Sequence, residues 1–274
     1  MWKWKWVKRV GVLGLLLGSW GVGASELSWQ GPLIQGGLLI GRVTPGTQLQ
    51  LDEQPLPVTA EGVFVMGFSR DAPPQTRLTV VFPDGVRQQR VLDIAQRQYD
   101  IQRLSGLPSD QVTPPPELLE RIRRDNAKVD AARRQNLQQS YFLSGFAWPT
   151  TGRISGVYGS QRILNGEPRQ PHFGVDIAAP VGAPVRAPAD GIVTLAEPNL
   201  YYSGATLIID HGFRLSSTLM HLSRIGVKVG QRVRKGEVIA AVGKSGRVTG
   251  PHLDWRMNWR DARIDPALLV PPMP

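Results

Sequence analysis

The stretch Pro171-His172-Phe173-Gly174-Val175-Asp176-Ile177-Ala178-Ala179-Pro180 decides how this 274-residue chain is read. Its glycine, prolines and β-branched residues disfavour a helix and favour an extended run. Residues an even number apart on a strand share a face, so His172 and Asp176 can aim at one point. The same parity joins His252 to Asp254 in Thr249-Gly250-Pro251-His252-Leu253-Asp254-Trp255-Arg256-Met257, with Leu253 and Trp255 on the opposite face. His221 lies between the two pairs. Imidazole nitrogen and carboxylate oxygen are both ordinary zinc ligands, and a catalytic zinc site keeps three protein ligands plus an open position. Either pair alone is a weak signal; together in one compact segment they point to a zinc hydrolase.

Working outward, Gly191-Ile192-Val193-Thr194-Leu195, Ala205-Thr206-Leu207-Ile208-Ile209 and Val238-Ile239-Ala240-Ala241-Val242 are apolar or β-branched runs bounded by turn residues, with no long amphipathic helix between them. His211, the remaining histidine, falls in Ile208-Ile209-Asp210-His211-Gly212-Phe213, which reads as a hairpin tip. Ten residues of strand would place it roughly 30 Å from His221, so a turn histidine is expected rather than a ligand. Val229 to Ala240 is similar to half of a biotinyl or lipoyl carrier domain, but no lysine in the setting that a carrier needs accompanies it.

Upstream, short apolar runs recur at about ten-residue intervals. They are Leu38-Leu39-Ile40-Gly41-Arg42-Val43, Gln48-Leu49-Gln50-Leu51, Gly62-Val63-Phe64-Val65-Met66 and Leu78-Thr79-Val80-Val81-Phe82, with turn signals such as Pro45-Gly46 and Pro83-Asp84-Gly85 between or after them. This spacing predicts a small β-sandwich, a module that binds or spaces rather than catalyses. Pro114-Pro115-Pro116 then opens a charged stretch in which Leu118, Ile122, Val129 and Ala132 lie near one helical face, interrupted by Asp125. Such a thin stripe suits a solvated connecting helix; the sharper reading is a helix that docks over the catalytic cleft.

The N-terminus has a basic start through Lys8-Arg9, an apolar stretch from Val10 to Gly18 and small residues ending at Ala24. These are the parts of an export signal, and the apolar stretch falls short of the roughly 20 residues of a spanning helix. Cysteine is absent, which removes disulfides, thiolate metal sites and a lipoprotein anchor. Net charge is +10, and four of the positive charges, Lys3, Lys5, Lys8 and Arg9, precede the expected cleavage point, leaving a surplus of +6. A moderate basic surplus suits an anionic wall or membrane surface, or simply a soluble surface. No nucleic-acid motif supports that partner.

The runs His172-Phe173-Gly174-Val175-Asp176-Ile177-Ala178, Pro184-Val185-Arg186-Ala187-Pro188-Ala189-Asp190-Gly191, Met220-His221-Leu222-Ser223 and Gly250-Pro251-His252-Leu253 resemble, in order and distance, the lysostaphin/LytM-type zinc endopeptidases of bacterial cell walls. The resemblance covers residues 146 to about 269. It implies an antiparallel β-sheet core with the metal in an open groove, and peptidoglycan peptide as substrate. It also implies His172 and Asp176 as zinc ligands, with His221 and His252 as the catalytic pair. The family's third ligand, the second histidine of a His-x-His pair, is Asp254 here. Two anionic ligands are expected to make the ion a weaker Lewis acid. Some members of the family have lost their ligands and act as scaffolds that activate other wall hydrolases, which is the alternative reading.

The resulting expectation is a mainly β protein. It has an export signal over 1–24, a β-sandwich-like domain over 25–105, a helical linker over 106–145 and a peptidase domain over 146–274. It would be exported to the periplasm or cell envelope, act on peptidoglycan, and offer its N-terminal domain or linker to an envelope protein partner.

Overall fold

In the computed structural model, which describes residues 26–104 and 116–273, the deciding stretch holds a strand at Gly174–Ala178. The expected export signal lies outside the described residues. No helix among the described residues is long and apolar enough to cross a membrane.

Strands of the first region are β1 (Leu27–Gln30), β2 (Leu38–Val43), β3 (Gln48–Leu51), β4 (Gln54–Leu56), β5 (Val63–Gly67), β6 (Gln75–Val81), β7 (Arg87–Asp93) and β8 (Ile101–Leu104). Two antiparallel sheets result, ordered β1-β2-β5 and β4-β3-β6-β7. They bury alternate residues such as Leu49, Leu78 and Val80, as the period-two pattern of the apolar runs requires. This core does not stop at the expected boundary. It continues through Trp259 and Ile264 of the C-terminal region in one apolar cluster. Arg97 also pairs with Asp265 at 2.8 Å across that contact.

Helix α1 (Pro116–Arg133) begins on a proline, which the first helical turn tolerates because its N–H would have no partner there. Its apolar stripe is thin but used: Val129 and Ala132 pack on Leu195, Leu200 and Ile208 of the C-terminal sheet. Asp125, the residue that interrupts the stripe, accepts the Tyr201 N–H at 2.7 Å. Lys128 pairs with Glu197 at 2.9 Å. The helix is therefore docked on the C-terminal sheet and is not a free-standing connector.

The C-terminal region contains β9 (Arg153–Gly156), β10 (Gln161–Leu164), β11 (Glu167–Pro168), β12 (Gly174–Ala178), β13 (Pro184–Arg186), β14 (Gly191–Leu200), β15 (Gly204–Asp210), β16 (Leu215–Ile225), β17 (Arg232–Val233), β18 (Val238–Val242), β19 (His252–Trp259) and β20 (Ala262–Ile264). The main sheet runs β17-β14-β15-β16-β19-β12-β9, with β18 also pairing β16 and β20 pairing β19. Neighbouring strands along it are antiparallel throughout. Strand β8, expected inside the N-terminal module, instead pairs in parallel with β10, with Ile101 opposite Gln161.

Candidate metal centre

Strands β9, β12, β19 and β16 lie side by side, and one rung across them reads Gly156, Asp176, Asp254, Met220. Opposed carboxylates repel, and directly paired residues on adjacent strands stand about 5 Å apart at Cβ. Glycine makes the room. A Cβ on Gly156 would come within 2.2 Å of Asp176 Oδ2, and one on Gly174 within 2.6 Å of Asp254 Oδ1. Two residues along β19 from Asp254, on the same face, Arg256 stands opposite Gly174 on one side and Thr218 on the other. The other face of β19 supplies core: Leu253, Trp255 and Met257 are buried.

His172 precedes β12 and swings back over it. Its Nδ1 donates to Gly174 O at 3.0 Å, which turns Nε2 toward Asp176 Oδ1 at 2.9 Å and Asp254 Oδ2 at 3.8 Å. His252 Nδ1 donates to Gly250 O at 2.9 Å, and its Nε2 lies 3.8 Å from Asp176 Oδ1. His221 reaches the same place by a different device. The β15–β16 register slips between Leu207↔Leu219 and Ala205↔Leu222, a bulge that leaves an extra residue on β16. With φ at 64°, His221 turns out of the strand's alternation while both Leu219 and Leu222 stay buried. A non-glycine residue in that region carries strain of about 1–3 kcal/mol, of the kind that collects at functional sites. Its Nδ1 donates to Ser245 O at 2.9 Å, leaving Nε2 as the unprotonated nitrogen, and its ring centroid is 4.8 Å from that of His252.

The carboxylates facing each other across β12 and β19 carry different charge. Burial pushes Asp176 up to about 7, with the nearby Asp254 charge adding to the rise. Burial acts on Asp254 in the same direction, but the charge and hydrogen bonds of Arg256 more than reverse it, leaving Asp254 below the usual carboxylate range. The contact is a fork: Arg256 Nε donates to Oδ1 at 3.0 Å and Nη2 to Oδ2 at 2.7 Å. Burial lowers both His172 and His221, so each ring is neutral near pH 7.

These donors suit a metal ion. One ligand atom each from His172, Asp176 and Asp254 fall within 4.8 Å of one another. Tetrahedral zinc with ligands at about 2.1 Å needs them about 3.4 Å apart, so only small closure is required. A carboxylate offers about four lone-pair positions, and the Arg256 fork leaves part of Asp254 available. Two anionic ligands are expected to make the ion a weaker Lewis acid, and the Arg256 fork adds one positive charge beside Asp254. Arg256 was legible by the same period-two parity that links His252 to Asp254, and sequence reasoning did not use it.

Of the residues singled out from sequence, His172, Asp176, His221, His252 and Asp254 come together. His211 does not. It is fully buried, with Nδ1 at 2.6 Å from Asp190 O and Nε2 at 2.7 Å from Ser217 Oγ, and burial pushes it down to about 4. It is a satisfied core histidine at a hairpin end.

Residues 170–266 match the model of peptidase family M23. Among curated proteins, the Vibrio cholerae peptidoglycan DD-endopeptidase ShyA is 41% identical over 114 residues, which cover 41% of this chain and 26% of ShyA. The DD-carboxypeptidase/endopeptidase Mpg of Neisseria meningitidis is 40% identical over 103 residues, covering 38% of this chain and 24% of Mpg. The chain thus spans about a quarter of the length of these relatives. A crystal structure of a Pseudomonas aeruginosa protein assigned to peptidase M23 superposes with a TM-score of 0.65 at 28% identity, over 86% of this chain and 93% of the other. That coverage extends beyond the matched domain, so both sheet regions recur together in that protein.

Proposed function

We propose that this protein is a zinc-dependent endopeptidase that hydrolyses peptide bonds of bacterial peptidoglycan, a reading supported by the match of residues 170–266 to peptidase family M23. The observation that carries this reading is the convergence of His172, Asp176 and Asp254 within 4.8 Å beside the His221 and His252 rings. His172 Nε2 and one oxygen each of Asp176 and Asp254 would hold a zinc ion, which would supply Lewis-acid polarisation of the scissile carbonyl and acidify water. His221 and His252 are the catalytic residues, one Nε2 accepting the proton of the attacking water and the other ring steadying the developing oxyanion. Their Nδ1 bonds to backbone carbonyls fix ring orientation and tautomer before substrate arrives.

In this reading residues 1–24 export the chain to the cell envelope, where peptidoglycan is met. The sandwich-like region over 25–105 binds or spaces, the linker spans 106–145, and 146–274 forms the peptidase. A protein partner in the envelope would use the first region or the linker. A metal-free scaffold that activates another hydrolase is the second reading, favoured by one observation: Arg256 already grips both oxygens of Asp254.

Elemental analysis of the purified chain and of Asp254→Ala, alongside digestion of purified peptidoglycan, separates the two. About one zinc per chain, lost together with cleavage in the variant, is the expected result. No zinc uptake and no cleavage after zinc is supplied would leave the scaffold.

A further inference from the structure

A cavity of about 660 Å³ opens beside His221, between α1 and the sheet. Arginines reach it from four places: Arg133 on the helix, Arg247 in the loop after β18, Arg256 on β19 and Arg263 on β20. Asp130 is the one carboxylate lining it. Arg256 is committed to Asp254. Arg133 donates through Nη2 to Thr218 Oγ1 at 3.2 Å, while its buried Nε has no acceptor. Arg263 is held by Asn258 Oδ1 and lies over the Phe173 ring at 5.7 Å. Among the described residues, no carboxylate oxygen lies within ion-pair distance of Arg133 or Arg263.

Guanidiniums gathered in a half-buried hollow repel one another. Burial, reinforced by Arg263 and Arg256, pushes Arg133 down to about 9, and burial with the Arg256 charge lowers Arg263. Both stay protonated at neutral pH, and the charge of Asp130, which acts on both, offsets only part of theirs, so the cavity keeps a net positive charge. Planar guanidiniums match a carboxylate through paired N–H donors, and such bonds strengthen as water is excluded. The position is also specific. Arg256 and Thr218 form the rung next to the Asp176–Asp254 rung, two residues or about 7 Å along the strands. A peptide whose scissile bond lies at the metal row would bring the residue beside that bond to the arginines.

Resting on the hydrolase reading above, we propose that this cavity is a carboxylate-binding subsite. It takes a free carboxylate on the substrate residue next to the scissile bond, with Arg133 and Arg263 as the binding residues. The enzyme would then select peptides that carry an acid group at that position.

The test uses the full chain and a cross-linked dimer of wall stem peptides in three forms: all carboxylates free, the C-terminal carboxylates amidated, and the side-chain carboxylates amidated. Binding is measured by calorimetry on chelator-stripped protein, and kcat and KM on the zinc-loaded protein. One amidated form is expected to bind at least tenfold more weakly than the free form, and which one identifies the source of the carboxylate. Arg133→Gln and Arg263→Gln, on different elements, should each cause a similar loss with the free peptide and none with that amidated form. The loss should fall on KM rather than kcat, and Arg133→Lys should retain part of the affinity.

Equal binding of all three forms overturns the subsite, as does a variant effect that is the same for free and amidated peptide. Because binding is read without metal, arginine-dependent binding with no cleavage would keep the subsite and remove the hydrolase. Cleavage indifferent to amidation would do the reverse.

Discussion

One rung of the sheet separates a row made of glycine and carboxylates from a row made around guanidinium. Gly156, Asp176 and Asp254 form the first; Gly174, Arg256 and Thr218 form the second. Both rows cross β12 and β19 and face the same way there, so their difference is a matter of side-chain charge at a two-residue step. The first row concentrates negative charge where a cation can sit. The second compensates half of that charge through the Arg256 fork, while the groove beside it takes its positive character from Arg133 and Arg263. In the proposed site, Asp254 and Arg256 together carry the net charge of a neutral imidazole. Placing opposite charges on adjacent rungs also keeps the cation site and the anion-attracting groove from merging.

Removing a donor from the first row should have the largest effect. Asp176→Ala leaves two of the three proposed ligands, and loss of the metal would remove several kcal/mol of charge stabilisation, or roughly a thousandfold in rate. Peptidoglycan cleavage should fall to background and zinc content to near zero in the same preparation. Zinc retained with full activity would mean that the row is not the metal centre.

Breaking the link between the rows comes next. Arg256→Gln strands Asp254, which is 3% exposed, as an unpaired buried charge. In metal-free protein this should destabilise the fold by about 3–5 kcal/mol in denaturant titration. Asp254→Asn added to the same chain should recover most of the loss, because removing both charges leaves nothing unpaired. Equal instability of the single and double variants would show that Arg256 acts by packing alone.

Proton linkage offers a smaller lever on the first row. The metal-free fold holds the Asp176 proton up to about pH 7, against an ordinary value of 3.8. In the proposed site zinc would displace that proton, so affinity measured by chelator competition should rise by up to tenfold per pH unit toward 7 and then flatten as far as Asp176 is concerned. In the absence of metal the native state binds more protons than the unfolded chain between those two values. The contribution of Asp176 to stability therefore declines as pH rises through that window. A zinc affinity that does not change across it would place Asp176 outside the ligand set.

The sequence showed the two rows unequally. Asp176, His252 and Asp254 were legible because strand parity operates through Gly174–Ala178 and His252–Trp259, whereas His172 lies just before its strand and reaches Asp176 by turning back through its contact with Gly174 O. The expected N-terminal strands at Leu38–Val43 and Gln48–Leu51 are present with the same bounds, since each is a short apolar run closed by turn signals. His221 could be named only by resemblance: a bulge breaks the alternation on which a parity argument depends, and bulges leave no fixed pattern of residue types. The joining of the two sheet regions through Arg97, Asp265 and Ile264 was equally hidden, because contacts between residues 168 positions apart have no local periodicity. Asp125 misled for the opposite reason. A carboxylate in an apolar stripe reads as a defect until the Tyr201 N–H that it caps is seen.

The helix that walls the groove allows the finest comparison, between two of its polar contacts. Asp125 has a side chain 16% exposed and accepts a backbone N–H that has little water to replace it. Lys128 and Glu197 are 50% and 29% exposed, so solvent and salt screen their pairing. Asp125→Ala should therefore cost about 1 kcal/mol, and Lys128→Ala no more than about 0.5 kcal/mol with the difference shrinking further in high salt. Native-state hydrogen exchange of the Tyr201 amide gives the readout. Faster exchange in Asp125→Ala than in Lys128→Ala would locate the hold on the helix in the buried contact, where displacing α1 would also carry Arg133 away from the groove. The reverse order would mean that the exposed ion pair anchors the helix, and that the wall loosens with ionic strength.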